Sequence, residues 1–519
     1  MTTNQKKETI YFIVPRFPYR YITEFKFILK ILKLKGYSFP LSLTSLINLT
    51  DETQWHILVT DENISRINDN LKPSLVVLTA MSCFYNRAVE IAEQFKQKNI
   101  PVICGGIHVS LYKNIQSHPF SSIVIGEGED VWNEILNDYK KGALKPVYTN
   151  DLHSSLVEIN AEKINRYIDF SKYLFYSIQA TRGCPYDCNF CSVKEFNGRE
   201  TRHRTVESIV SELNDVKKTT QEIFFVDDNI IGDKKYAKEL FNALIRQNIF
   251  WSSQASINIA FENDVLQLAA QSGCEYFFLG FESTQKNSLE LFNKQINLSI
   301  KDKYSEIISN IRSHGIEITA SFIIGSDSDI KESFQQLVDF IEENNIVSAM
   351  INILTPFPGT KLFETMSRES RIIDDDLNHY DGQHAVFSPA HMSASDLEKG
   401  LCSIYTKIYN LNALYRKTRA ILCEYKFFDK RNSLHMHRSF PGILRDLWNI
   451  FRFVYHLLFT NSAHVVMNRL IFVFKMFLLF FDKKVLGKRN IFIFIVKCIS
   501  LNDFSRHAIK QIQKRNIFL

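Results

Sequence analysis

Short apolar runs alternate with amphipathic stretches through the first three-quarters of the chain, the pattern of a parallel sheet with crossover helices. Thr9–Val14, Trp55–Thr60, Ser74–Thr79 and Pro101–Cys104 read as strands, and Arg87–Lys98 as a helix between two of them. Gly105-Gly106-Ile107-His108 closes one strand with a turn, and Ser121–Ile125 followed by Gly126-Glu127-Gly128-Glu129 repeats the device. From Tyr176 the period becomes regular, with strands at Tyr176–Ala180, Glu222–Val226, Trp251–Ser256, Glu275–Phe281, Ile316–Ile324 and Val347–Leu354. Helical stretches such as Thr205–Lys217, Asp233–Gln247 and Asp329–Glu343 separate them. Six β/α units of this kind predict a partial (β/α)6 barrel with its reactive groups at the C-terminal strand ends.

The pattern changes beyond Leu411, where Phe, Leu and Ile are interleaved with cations. Leu470–Phe481 is apolar nearly all round except for Lys475, and Asn490–Val496 is a second apolar run. Neither reaches the ~20 residues needed to cross a bilayer. With basic flanks at Lys483-Lys484 and Lys488-Arg489, the tail is read either as a helix lying on an anionic membrane surface or as core helices packed on the barrel. Nucleic-acid binding is disfavoured, because the lysines alternate with aliphatic runs rather than with isolated stacking aromatics.

The 519 residues suffice for several domains, and 45% hydrophobic and 23% charged residues make the composition globular. A net charge of +6 conceals an asymmetry: Leu411–Leu519 carries 20 Lys and Arg against 5 Asp and Glu, and the rest carries 42 against 51. The polar start, Met1-Thr-Thr-Asn-Gln-Lys-Lys-Glu, runs straight into a strand and predicts no secretory leader. Nine cysteines, without a disulfide-like framework, predict a cytoplasmic protein, peripheral at the inner membrane face in the first reading of the tail.

Three of those cysteines carry the chemistry. Cys184, Cys188 and Cys191 fall within eight residues just after an apolar strand. A closed zinc site wants four ligands, usually in two separated pairs, whereas thiolates from one short run suit an iron-sulfur cluster. Three ligands without a fourth predict a 4Fe-4S cluster with one iron open. The remaining six cysteines are scattered and read as inert thiols. Polar groups recur at the same end of successive strands: Asp227-Asp228-Asn229, Gln254 and Ser256, Gly280-Phe281-Glu282-Ser283, and Ser321. Together they predict a shared small-molecule site, with the inward member of the Asp227 and Asp228 pair undecided because neighbours on a strand face opposite ways.

Ala180-Thr181-Arg182-Gly183-Cys184-Pro185 through Cys191 resembles the signature of radical S-adenosylmethionine (SAM) enzymes, and CGGIHVS followed by VIGEGED resembles the cobalamin-binding domain of their class B, methyltransferase-like members. The resemblance implies Cys184, Cys188 and Cys191 as cluster ligands and SAM in the open position, cleaved to a 5'-deoxyadenosyl radical. It implies Phe190 near the adenine and Asp227, Asp228, Gln254, Gly280, Glu282 and Ser321 around SAM. Gly105, Gly106, Gly126, Glu127 and Gly128 would hold cobalamin. The histidine motif that some cobalamin proteins use on the lower face is absent, since Asp151-Leu-His153 lacks its glycine and reads as linker.

The implied architecture is α/β: a Rossmann-like B12-binding-type domain at 1–150, a linker at 151–175, a partial TIM barrel at 176–372, a subfamily C-terminal domain at 373–410 and a basic aromatic helical tail at 411–519. The implied function is cobalamin-dependent methylation of an unactivated carbon in a small-molecule or lipid-like substrate, with flavodoxin or ferredoxin as electron donor. Two rivals remain: a cobalamin-free radical SAM enzyme, and a non-catalytic metal protein binding membrane or nucleic acid through its tail. Asp381-Gly-Gln-His384 and Pro389-Ala-His391 read as a lid over the barrel, with both histidines facing solvent.

Overall fold

A computed structural model describes residues 7–17, 26–112, 118–150, 155–425, 463–479, 481–482, 484 and 491–515. Strands β1 (Glu8–Val14), β2 (Trp55–Asp61), β3 (Leu75–Thr79), β4 (Val102–Gly105), β5 (Ser122–Gly126) and β6 (Val147–Asn150) form one parallel sheet in the order β2-β1-β3-β4-β5-β6. The period of two along β1 sorts its apolar residues between two layers. Ile10, Phe12 and Val14 meet Leu43, Ile47 and Trp132 on one face, while Tyr11 and Ile13 meet Ala88, Ile91 and Phe95 on the other. Strand β6 was not foreseen. It is a short edge on which only Tyr148 is buried, so it presents no apolar run.

The second sheet is parallel in the order β7 (Tyr176–Ile178), β10 (Glu222–Phe225), β11 (Phe250–Ala255), β12 (Cys274–Glu282), β13 (Glu317–Ile324) and β14 (Ser348–Ile353). Each strand lies within two residues of the span its apolar run predicts. Between β7 and β10 sits a small antiparallel pair, β8 (Thr181–Arg182) and β9 (Arg202–His203). A continuous core including Ile178, Phe225, Trp251, Phe277, Phe322 and Ile351 packs between this sheet and its helices, with Trp251 on Phe241 and Phe322 on Phe340, and the sheet stays open, with β7 and β14 as its edges.

The C-terminal helices finish that open edge. From the helix Ala394–Ile408, Tyr405 donates its hydroxyl to the Ile351 carbonyl (2.7 Å). Just beyond it, Tyr409 both accepts from the Ala349 N–H (2.9 Å) and donates to the Ala349 carbonyl. Side-chain hydroxyls thus occupy ladder positions that an unpaired strand leaves available for aggregation. The helix Ile491–Arg515 locks this layer, with Asn502 donating to the Tyr409 carbonyl (2.9 Å). Near its start Phe494, Ile495, Val496, Cys498 and Ile499 are buried, so the part of the second apolar run that lies among the described side chains is core. The helix Ala463–Leu478 packs on Leu411–Glu424 and on the last helix.

Candidate cluster and cofactor site

Glycine 183 makes the turn that starts the cysteine loop. It has φ +101°, and a Cβ there would lie 2.2 Å from the Glu200 carbonyl, so only glycine fits. The loop is then sewn to two distant segments. Asn189 donates its N–H to the Phe292 carbonyl (3.0 Å) and its amide to the Leu291 carbonyl (3.0 Å), while Asn293 donates to the Asp187 carbonyl (2.6 Å). Asp187 also pairs with Lys194 (2.6 Å) and Lys361 (3.0 Å). Burial pushes all three thiols up, Cys191 to about 12, and metal ligation would supply the positive charge that favours their ionised form. Among the described residues no three His, Cys, Asp or Glu side chains converge on a single-ion point. A cluster places each thiolate on its own iron and needs no such convergence, so the donor set fits it.

The neighbouring aspartates divide as strand geometry requires. Asp227 is fully enclosed and accepts from the Ala180 N–H (3.1 Å), the Thr181 N–H and the Thr181 hydroxyl (2.6 Å). Burial raises its carboxyl to about 7 in spite of those donors. Asp228 instead reaches the cysteine loop, accepting from the Gly183 N–H (3.1 Å) and the Asn197 amide (2.9 Å). Asp227→Ala strands three buried donors, and a loss of about 3 kcal/mol is expected at roughly 1 kcal/mol or more per unpaired group, read as a lowered denaturant midpoint.

At the end of β12 a register shift between Gly280 and Glu282 re-aims the acid. Glu282 sits at φ +62°, in the left-handed region, and folds back so far that a Cβ on Gly280 would lie 2.3 Å from its carboxylate. There it meets Lys294 at 2.8 Å, with both side chains mostly buried. Burial alone would lower the Lys294 ammonium, but Glu282 and the Cys188 and Cys191 sulfurs outweigh it and hold that group above its ordinary value. Lys294 was not foreseen. It follows the Leu291–Asn293 turn that anchors the cysteine loop, and no periodicity or motif marks it in the sequence. Phe190 packs its ring on Phe292 (5.4 Å), Gln254 lies near the end of β11, and Ser321 sits mid-strand on β13 opposite Gly280.

The glycine turns of the first sheet serve two purposes. A Cβ on Gly106 would lie 2.7 Å from the Ala80 carbonyl and one on Gly126 2.2 Å from the Asn150 carbonyl, so these two allow backbone to pack on backbone. Gly105 and Gly128 meet nothing closer than 3.7 Å and line a cavity of about 230 Å3 with Leu41, Leu46, Thr79 and Ile103. Aliphatic walls and exposed backbone at strand ends suit a corrin, whose rim carries methyl and amide groups. Glu127 is nearly inaccessible. It pairs with Arg202 (2.6 Å) and Arg182 (2.8 Å), and Arg182 also holds Glu129 (3.0 Å). Since β8 and β9 flank the cysteine loop, Glu127 ties the glycine turn directly to that loop.

His384 is buried, not solvent-facing as expected: Nδ1 lies 3.0 Å from both Asp381 carboxylate oxygens, and the Gly382 carbonyl accepts from the Ile353 N–H at the end of β14. Apolar packing of the stretch on β14 draws it inward, whereas His391 is exposed as expected. His153, Lys483, Lys488 and Arg489 lie outside the described residues.

Residues 178–341 match the family model of the Radical SAM superfamily. The chain is 30% identical over 351 residues to the bacteriochlorophyllide d C-12(1)-methyltransferase of Chlorobaculum tepidum, covering 66% of this chain and 76% of that protein. It is 29% identical over 339 residues to the hopanoid C-2 methylase of Rhodopseudomonas palustris, covering 62% and 63% respectively. The structure of the radical SAM methyltransferase TsrM from Kitasatospora setae, with cobalamin and a 4Fe-4S cluster bound, shares the fold: TM-score 0.60, 14% identity, 86% of this chain and 99% of that one. Cysteine loop, strand-end acids and overall similarity agree, and the chain belongs to the radical SAM superfamily, as an enzyme similar to its methyltransferases.

Proposed function

We propose that this enzyme methylates an unactivated carbon of a small apolar, polycyclic substrate in a cobalamin-dependent reaction. The observation that carries the reading is the docking of the glycine turn at Gly126–Gly128 onto the strands flanking the cysteine loop through Glu127, Arg182 and Arg202, which sets the glycine-lined cavity against the segments that frame that loop. When bound, the cluster supplies the electron that cleaves SAM, and the corrin supplies the methyl group. Cys184, Cys188 and Cys191 would hold the cluster. Phe190, Asp228, Gln254, Glu282 and Ser321 would line the SAM side, with Gly280 giving Glu282 its turn and Asp227 holding the strand ends. Gly105 and Gly128 would face the corrin, with Gly106 and Gly126 shaping their turns. Residues 1–150 form the corrin side, 151–175 the linker, 176–372 the SAM side, 373–410 a cover and 411–519 the tail. The relatives named for bacteriochlorophyllide and hopanoid methylation support the substrate class, and a ferredoxin or flavodoxin would deliver the electron.

Gly106 and Gly126 are demanded by backbone packing whether or not a corrin binds, and this favours one second reading, a cobalamin-free radical SAM enzyme. Anaerobic reconstitution with iron, sulfide and hydroxocobalamin, followed by gel filtration, separates the two. Retained corrin in the visible spectrum, with 5'-deoxyadenosine released from SAM and dithionite, is the expected result. Release of 5'-deoxyadenosine without retained corrin supports the second reading, and no release at all overturns both.

A further inference from the structure

We infer that the outer face of the helix Ala463–Leu478, continued to Phe481, seats on an anionic membrane surface. Seven of the fourteen exposed large apolar side chains among the described residues lie on this one segment. Within the helix, Met467, Leu470, Ile471, Phe474 and Leu478 recur at intervals of one, three and four, which at 3.6 residues per turn places them on one stripe about 100° wide, and exposed Phe481 follows in the turn beyond it. Phe474 is 63% and Phe481 72% exposed. The opposite face is satisfied: Val465, Phe472, Met476 and Leu479 are buried, and Arg469 pairs with Asp503 from the last helix. The helix therefore already has its intramolecular partner, and the stripe is a second apolar face. A patch of this kind on a charged protein marks an interaction surface.

Charge identifies the occupant. The 109 residues from Leu411 carry 20 cations against 5 acids, while the rest of the chain is net acidic, so an anionic surface attracts this end and repels the other. Asp482, the acid adjoining the stripe, is engaged by Arg419 at 2.8 Å. A second copy of the chain would bring the same positive charge to the contact, and a nucleic acid has no use for a continuous aliphatic stripe. No helix among the described residues is long and apolar enough to cross a membrane. At 1.5 Å per residue, this 16-residue helix would span about 24 Å, less than the hydrocarbon core, so it lies in the interface plane with its stripe inserted.

Co-sedimentation of the full chain with phosphatidylglycerol/phosphatidylcholine vesicles tests the inference. The wild type is expected to bind these and not pure phosphatidylcholine, and to be released by high salt. The double variant Ile471→Glu/Phe474→Glu is expected to bind at least roughly tenfold more weakly, with circular dichroism and a melting temperature like the wild type. Ile330→Glu, at an exposed apolar residue elsewhere, is expected to bind normally. If the double variant is misfolded, Phe474→Ser serves in its place with the same expected direction. Failure of the wild type to bind anionic vesicles, or equal binding after substitution, overturns the proposal. So does sedimentation equilibrium showing that substitution dissolves a dimer while vesicle binding persists, since the stripe would then belong to a second copy.

Discussion

Cys188→Ser is expected to reduce 5'-deoxyadenosine formation from SAM and dithionite by about three orders of magnitude or more, the scale reached when a member of a unit-acting catalytic set is lost. The loop offers three thiols, and a serine hydroxyl stays protonated where a thiolate would ligate iron. Reconstituted iron and the visible thiolate-to-iron band should fall together with product formation, while the melting temperature of the metal-free protein stays within a few degrees, because oxygen for sulfur removes little volume from a half-polar loop. Cys104→Ala is the internal control. Cys104 is buried in β4, and its thiol lies near the Gly105 carbonyl (3.7 Å), away from the loop. Its loss is expected to cost roughly 1 kcal/mol of stability and leave the iron content unchanged. Normal 5'-deoxyadenosine release by Cys188→Ser would remove the cluster assignment.

Glu127→Ala is expected to destabilise the chain by about 3 kcal/mol or more, because it leaves the Arg182 and Arg202 guanidinium groups mostly buried without their shared anion. The same substitution loosens the tie between the glycine turn and the cysteine loop, so methylated product should fall further than 5'-deoxyadenosine. A uniform fall in both would show that Glu127 serves stability alone. Its titration supplies a second readout. Burial would raise the Glu127 carboxyl, but Arg202 and Arg182 outweigh burial and hold it below its ordinary value of 4.5. A depressed carboxylate contributes fully above that value and loses its contribution as pH falls through the folded-state value. The wild type should therefore lose stability on acidification below about pH 4.5 more steeply than Glu127→Ala, as followed by thermal melts across that range.

Much of the barrel was legible because its information is local. Each strand of the second sheet announces itself as an apolar run of a few residues, and each outer helix as a 3.6-residue stripe, so β10 to β14 fall where their runs predict. The cysteine loop is equally local, with donor type and spacing confined to eight residues. Strands β6, β8 and β9 escaped, being too short or too polar to form a pattern. They exist because neighbours supply partners: β8 and β9 pair with each other beside the loop they frame, and β6 completes an edge.

Sequence alone determined the two parallel sheets, the family, the three thiols and the strand end at which polar groups gather, since strand period, helix period and close spacing are properties of contiguous residues. Only tertiary structure decided which carboxylate does what. Asp227 turned inward to the β7–β8 junction while Asp228 met the cysteine loop, and Glu127, which lines the cavity at the glycine turns, also became the anion between two arginines more than 50 residues downstream. Lys294 acquired its place only because the Leu291–Asn293 turn docks on Asp187 and Asn189. The tail was settled in the same way. One apolar run divided into a buried and an exposed face when neighbouring helices covered half of it, because burial depends on what packs alongside a residue and a linear pattern carries no record of that.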